Sequence, residues 1–91
     1  MINFKDILEE LNEIYEKKNA DYGNSFEDSL NEFGTLPTVI RLNEKVNRLK
    51  SLCVGKQQIK DESIEDTLKD IANYCIITLK WLKNKNGLKP W

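Results

Sequence analysis

The sequence predicts an all-α fold, a small helical bundle of three main helices and one short one. Three observations point there. Apolar residues recur at spacings of three and four along most of the chain, with no strand-like alternation and no internal repeat. Residues that start helices (Asn3, Ser25, Pro37, Ser63) alternate with glycines that end them (Gly34, Gly55, Gly87). The composition is 40% hydrophobic and 32% charged, which suits a globular chain and not a disordered one. The 91 residues fit one domain, residues 1–91, with a short C-terminal tail at 85–91. A core is thin at this size, so the bundle is expected to be completed by oligomerisation.

Each helix has its own signature. Residues 3–18 place Phe4, Ile7, Leu8, Leu11, Ile14 and Tyr15 on one stripe, with Asn3 as N-cap and Asp6 three positions later. A short helix over 26–33 is capped by Ser25, sets Phe26, Leu30 and Phe33 at i, i+4 and i+7, and stops at Gly34. The third, 37–53, starts on a proline whose missing N–H would be unpaired anyway, and its stripe is Val39, Leu42, Val46, Leu49 and Cys53. Residues 54–61 form a polar connector. The fourth runs from about Ser63 to Asn84, with Ile64, Leu68, Ile71, Ala72, Cys75, Leu79 and Leu82 as its core face. Tyr74, Ile76, Ile77 and Trp81 widen that helix's apolar surface, and Trp91 adds to it from the tail. The helix is therefore expected to carry the contact between subunits.

Composition also excludes. Fourteen basic residues against fifteen acidic leave a net charge of −1, which argues against general nucleic-acid binding but not against a local phosphate site. Without histidine, a metal site would rest on carboxylates, which suit Mg²⁺. Cys53 and Cys75 fall on apolar stripes with no zinc spacing and read as reduced core residues. No apolar run reaches the length of a membrane span and no signal-peptide pattern opens the chain, so the expectation is a cytoplasmic protein.

Residues 18–26, Lys18-Asn19-Ala20-Asp21-Tyr22-Gly23-Asn24-Ser25-Phe26, are too elaborate for a plain connector. They read either as a ligand-facing loop or as one helix end followed by the next cap. Two charged stripes stand further on. Arg41, Lys45 and Arg48 share one face of the third helix, and Glu62, Asp66, Asp70 and Asn73 share one face of the fourth. Like charges at i, i+4 repel by a few tenths of a kcal/mol, so each stripe needs partners. The stripes either pair with each other as salt bridges or border a cleft in which the cations meet phosphate.

The spaced set Lys18-Asn19-x-Asp21-Tyr22-Gly23, Arg41-Leu42-x-x-Lys45-x-x-Arg48-Leu49 and Glu62-Ser63-x-x-Asp66-Thr67-x-x-Asp70-x-Ala72-x-Tyr74 resembles the nucleotide-modification-associated domain family, small all-α proteins of phages and bacteria. That family is itself similar to the MazG-like all-α nucleoside triphosphate pyrophosphohydrolases, oligomers that hydrolyse nucleotides with Mg²⁺. The resemblance implies a MazG-like bundle and a nucleotide ligand. Together with the two stripes and the 18–26 stretch, a nucleotide ligand is expected among Lys18, Asn19, Asp21, Tyr22, Phe26, Arg41, Lys45, Arg48, Asp70 and Asn73, and a metal, if one is held, among Glu44, Glu62, Asp66 and Asp70. The hydrolases' run of acidic residues on one helix is here Glu44-Lys45-x-x-Arg48, with bases where carboxylates belong. The expectation is therefore a homo-oligomer that binds or sequesters a nucleotide signal without turnover, in the host cytoplasm if phage-encoded. A Mg²⁺-dependent pyrophosphohydrolase and a non-catalytic protein-interaction module stand as alternatives.

Overall fold

A reciprocal cap starts the first helix. Asn3 Oδ1 accepts the Asp6 N–H at 2.9 Å, and Asp6 Oδ2 accepts the Asn3 N–H at 3.0 Å. The computed structural model describes residues 1–22, 24–55 and 63–85, and places four helices and no strand among them. They are α1 (Phe4–Tyr22), α2 (Ser25–Phe33), α3 (Leu36–Cys53) and α4 (Ile64–Lys83). Ser63 starts α4 with a second reciprocal box: Ser63 Oγ accepts the Asp66 N–H at 3.0 Å and Asp66 Oδ2 accepts the Ser63 N–H at 3.4 Å.

Two boundaries differ from expectation. The segment expected to leave the helix at Lys18 stays in α1 as far as Tyr22, because nothing before Gly23 breaks a helix and Ala20 favours one. Ser25 is not the cap of α2. Asn24 takes that place in the left-handed region, at φ 65°, which Asn tolerates better than most residues, and its side chain makes no capping bond. Gly34 ends α2 as predicted, at φ 70°, with its N–H bonded to Leu30 O at 2.9 Å.

The third and fourth helices form an antiparallel pair. Thr38, near the start of α3, meets Thr78, near the end of α4, with their hydroxyl oxygens 2.7 Å apart. Lys45 and Asp70 meet at mid-length, 2.9 Å apart. Thr78 gives its single hydroxyl proton to Tyr74 O at 2.7 Å, so Thr38 is the donor between the two. Polar side chains tie α1 to α4. Lys69 Nζ sits 2.6 Å from Glu10 Oε2, Asn73 Nδ2 donates to Leu11 O at 3.2 Å, and Lys80 Nζ donates to the Tyr15 hydroxyl at 2.9 Å. The short α2 packs on α4 through Phe26 against Tyr74 and through Trp81 Nε1, which donates to Asn31 Oδ1 at 2.8 Å.

Apolar burial is sparse. Among the described residues, Leu11 and Leu30 are the buried hydrophobic side chains, beside the buried threonines 38, 67 and 78. Several expected core residues face solvent instead: Phe4, Ile7 and Leu8 on α1, Val39 and Val46 on α3, and Ile64, Leu68 and Leu79 on α4. The face of α4 turned into the bundle is the one bearing Thr67, Tyr74 and Thr78, about a quarter turn from the apolar stripe. Ile77 and Trp81, expected outside, are half-buried. Both cysteines are free, but Cys53 is exposed, which corrects its reading as a core residue, and Cys75 is half-buried. Trp91 and the rest of residues 86–91 lie outside the described residues.

Candidate functional site

Asp70 is where three helices meet. Its Oδ1 lies 2.8 Å from Lys18 Nζ of α1 and its Oδ2 lies 2.9 Å from Lys45 Nζ of α3. Pairing of the two charged stripes, one of the two alternatives, is realised at Lys45, and α1 adds a second cation. Burial pushes the Asp70 carboxyl up, but the bonds and charges of Lys18 and Lys45 outweigh it and leave its pKa below the ordinary carboxylate value. Asp70 therefore stays ionised, and one carboxylate carries two ammonium groups.

A cleft of about 420 Å³ opens beside this cluster, between the end of α1, the start of α2 and the middle of α4. Its cations are Lys18 and Arg41. Phe26 and Tyr74 form an aromatic wall, edge to face with ring centroids 4.9 Å apart, and Tyr15 and Ile77 extend the apolar lining. Amides and hydroxyls come from Asn19, Asn24, Ser25, Ser29 and Asn73. The start of α2, without a side-chain cap, borders the same space, so the positive end of a helix dipole reaches it. Glu27 also lines the cleft. Its Oε1 is shut away from solvent, 2.8 Å from Lys80 Nζ, and Glu27 together with the Tyr15 hydroxyl holds the Lys80 ammonium above the ordinary lysine value.

Of the residues read from sequence, Lys18, Asn19, Phe26, Arg41, Asp70 and Asn73 gather at this cleft. Lys45 stands behind Asp70, and Arg48 lies a turn further along α3, outside the lining and engaged there. The side chains of Asp21 and Tyr22 lie outside the described residues, as does Glu62. The remaining carboxylates of the expected metal set do not come together with Asp70. Glu44 pairs with Arg41 at 3.6 Å and Asp66 is taken up in the α4 cap. Among the described residues no three such side chains form a group able to hold a metal ion.

Sequence reasoning missed Tyr15, Glu27, Ser29 and Tyr74 as lining residues. Tyr74 had a signal, since it lies one turn beyond Asp70. Tyr15 was absorbed into an apolar stripe, and Glu27 looked like a first-turn carboxylate with no other role.

The family described as nucleotide modification associated domain 1 matches residues 18–82. Every residue of the cleft lining except Tyr15 falls inside that span. No curated protein and no solved structure matches the chain.

Proposed function

The chain belongs to the nucleotide modification associated domain 1 family, and from that membership together with the cleft we propose that the protein binds a nucleotide between α1, α2 and α4. The observation that carries the reading is two unlike kinds of side chain in one cavity: the cations Lys18 and Arg41, and the aromatic pair Phe26 and Tyr74. A nucleotide has the matching two ends. Its phosphates take charge-assisted bonds from the guanidinium, the ammonium and helix N–H groups. Its base is flat and stacks on aromatic faces, worth ~1–3 kcal/mol in single-strand binders. Asn19 and Asn73 supply both donors and acceptors to base or sugar edges.

The reading is of binding without turnover. Each described carboxylate near the cleft already has an assigned partner: Asp70 two lysines, Glu27 Lys80, Glu44 Arg41, and Asp66 its own cap. A site built this way holds an anion more readily than it frees a carboxylate to activate water.

Thermal melts with linear and cyclic mono-, di- and triphosphates, with and without Mg²⁺, test the proposal. At least one nucleotide at millimolar concentration should raise the melting temperature and be recovered intact. Arg41→Ala should leave the apo melting temperature nearly unchanged, since Arg41 is exposed and its pairing with Glu44 is long. It should lower nucleotide affinity by about 1.5–3 kcal/mol, the range for a bond to a charged group. If no nucleotide shifts the melt, the reading fails. Product formation would instead favour the hydrolase.

A further inference from the structure

Asp70 divides its two oxygens between lysines in unlike positions. Lys18, 2.8 Å from Oδ1, lines the cleft, and its side chain is 56% exposed. Lys45, 2.9 Å from Oδ2, is 22% exposed and stands outside the lining. Asp70 is 18% exposed and belongs to the cleft wall. A ligand in the cleft therefore has Lys18 within its own space, and has Asp70 between itself and Lys45.

This arrangement sets a condition on the ligand. Burial works against the charge of Asp70, but the bonds and charges of Lys18 and Lys45 outweigh it, so the carboxylate is ionised at neutral pH. Lys18 thus already bonds a full negative charge. At a given distance, attraction to an ammonium scales with the charge of the anion. A phosphodiester carries one negative charge, as Asp70 does, so Lys18 gains nothing by exchanging one for the other. A terminal phosphate carries about −1.5 to −2 at pH 7, and with it the exchange is favourable. Lys45 keeps the exchange within reach. A mostly buried carboxylate stripped of both cations would be left uncompensated, whereas Lys45 at 2.9 Å leaves it one.

We propose that Lys18 is a transferable cation: a terminal phosphate takes it from Asp70 while Lys45 stays, and the cleft thereby selects nucleotides with a phosphate monoester over cyclic or otherwise diester-linked ones. The proposal rests on the nucleotide reading of the cleft and adds to it the charge class of the ligand. Asp70 is here a positioning residue, a gate on Lys18. Lys45 acts at one remove, by setting how hard it is to release Lys18. Arg41, whose pairing with Glu44 is long at 3.6 Å, meets phosphate of either kind and supplies affinity without this selectivity.

Calorimetric titration of the full chain at about pH 7 with the 5′-monophosphates of the common ribonucleosides, and with their 3′,5′-cyclic counterparts, tests the exchange. The wild type should bind the 5′-monophosphate of its preferred base about tenfold tighter than the cyclic form. Asp70→Asn should bring the two within about threefold, chiefly by tightening the cyclic form. Lys45→Gln should weaken the 5′-monophosphate about tenfold, although Lys45 lies outside the lining, and adding Asp70→Asn should restore it. Far-ultraviolet circular dichroism checks that each variant is folded. A measurement on the wild type guards against variants that are not: the Asp70 carboxyl carbon should titrate at higher pH with the 5′-monophosphate bound, because one cation has left it. Equal wild-type affinities for the two forms, or an unmoved Asp70 titration, overturn the exchange and leave nucleotide binding standing. No binding by any nucleotide overturns both. An Asp70→Asn variant that weakens both forms equally overturns it by making Asp70 a scaffold and not a gate. A Lys45→Gln loss that persists in the double variant overturns it by putting Lys45 on the ligand.

Discussion

On one side of the α3–α4 pair, side chains converge in directional bonds: Asp70 with Lys18 and Lys45, Asn73 with the Leu11 carbonyl, Lys69 with Glu10 and Glu65. On the other side, Val39, Val46, Leu68 and Leu79 stand in water without a counterpart. The same two helices make both sides, so their chemistry separates by face and not by segment. Directional contacts set positions to within a few tenths of an ångström, which is what a binding cleft needs. Apolar contact is non-directional and grows with area, which is what an association surface needs. The charged side therefore completes itself within one chain, and the apolar side gains only by meeting something else.

The sharpest way to probe that contrast is to remove one leucine from each kind of environment. Leu30 has no exposed surface and sits where α2 meets the pair, so Leu30→Ala should cost about 2–5 kcal/mol at any protein concentration. At ~4–8 °C per kcal/mol that is a large fall in melting temperature. Leu68→Ala should cost far less, because Leu68 is half exposed in the chain and its removal leaves no closed cavity. Equal losses for both would break the comparison.

The next effect tests the charged side. Asp70→Ala leaves Lys18 and Lys45 facing each other, and a loss of about 1.5–3 kcal/mol is expected, read from denaturant unfolding. The contribution depends on pH in a defined sense. The folded pKa of Asp70 lies below the ordinary 3.8, so its stabilisation is fully present above that value and drains away as pH falls through the lowered folded value. The gap in melting temperature between wild type and Asp70→Asn should thus be constant near neutrality and shrink only in strong acid. A gap that closes between about pH 7 and 5 would mean that another group is responsible.

The smallest effect concerns the buried hydroxyls. Thr78→Val deprives the Thr38 hydroxyl of its acceptor and should cost about 1–3 kcal/mol, whereas Thr38→Val combined with Thr78→Val should be nearly neutral. If the double variant loses as much as the two single losses added together, the hydroxyls are not a coupled pair.

The sequence by itself determined the number, order and nature of the helices, because caps, glycines and three–four spacing act over a few residues. The Asn3–Asp6 box, the Ser63 start and the Gly34 stop are local features, and they stand as read. It also singled out Lys18, Asn19 and Phe26, because the 18–26 stretch is too elaborate for a connector, and Arg41, Asp70 and Asn73, because charges stacked at i, i+4 must answer to something. Only the tertiary structure decided what each face answers to. Periodicity shows that α4 has an apolar stripe, but an apolar stripe fits a bundle core and a subunit contact equally well. The face that turns inward bears Thr67, Tyr74 and Thr78, and it is set by the Thr38 hydroxyl and the Phe26 ring arriving from elsewhere in the chain. The partition of Asp70 between Lys18 and Lys45, from helices distant in sequence, was hidden for the same reason: a spacing rule runs along one helix and carries no information about which helix lies beside it.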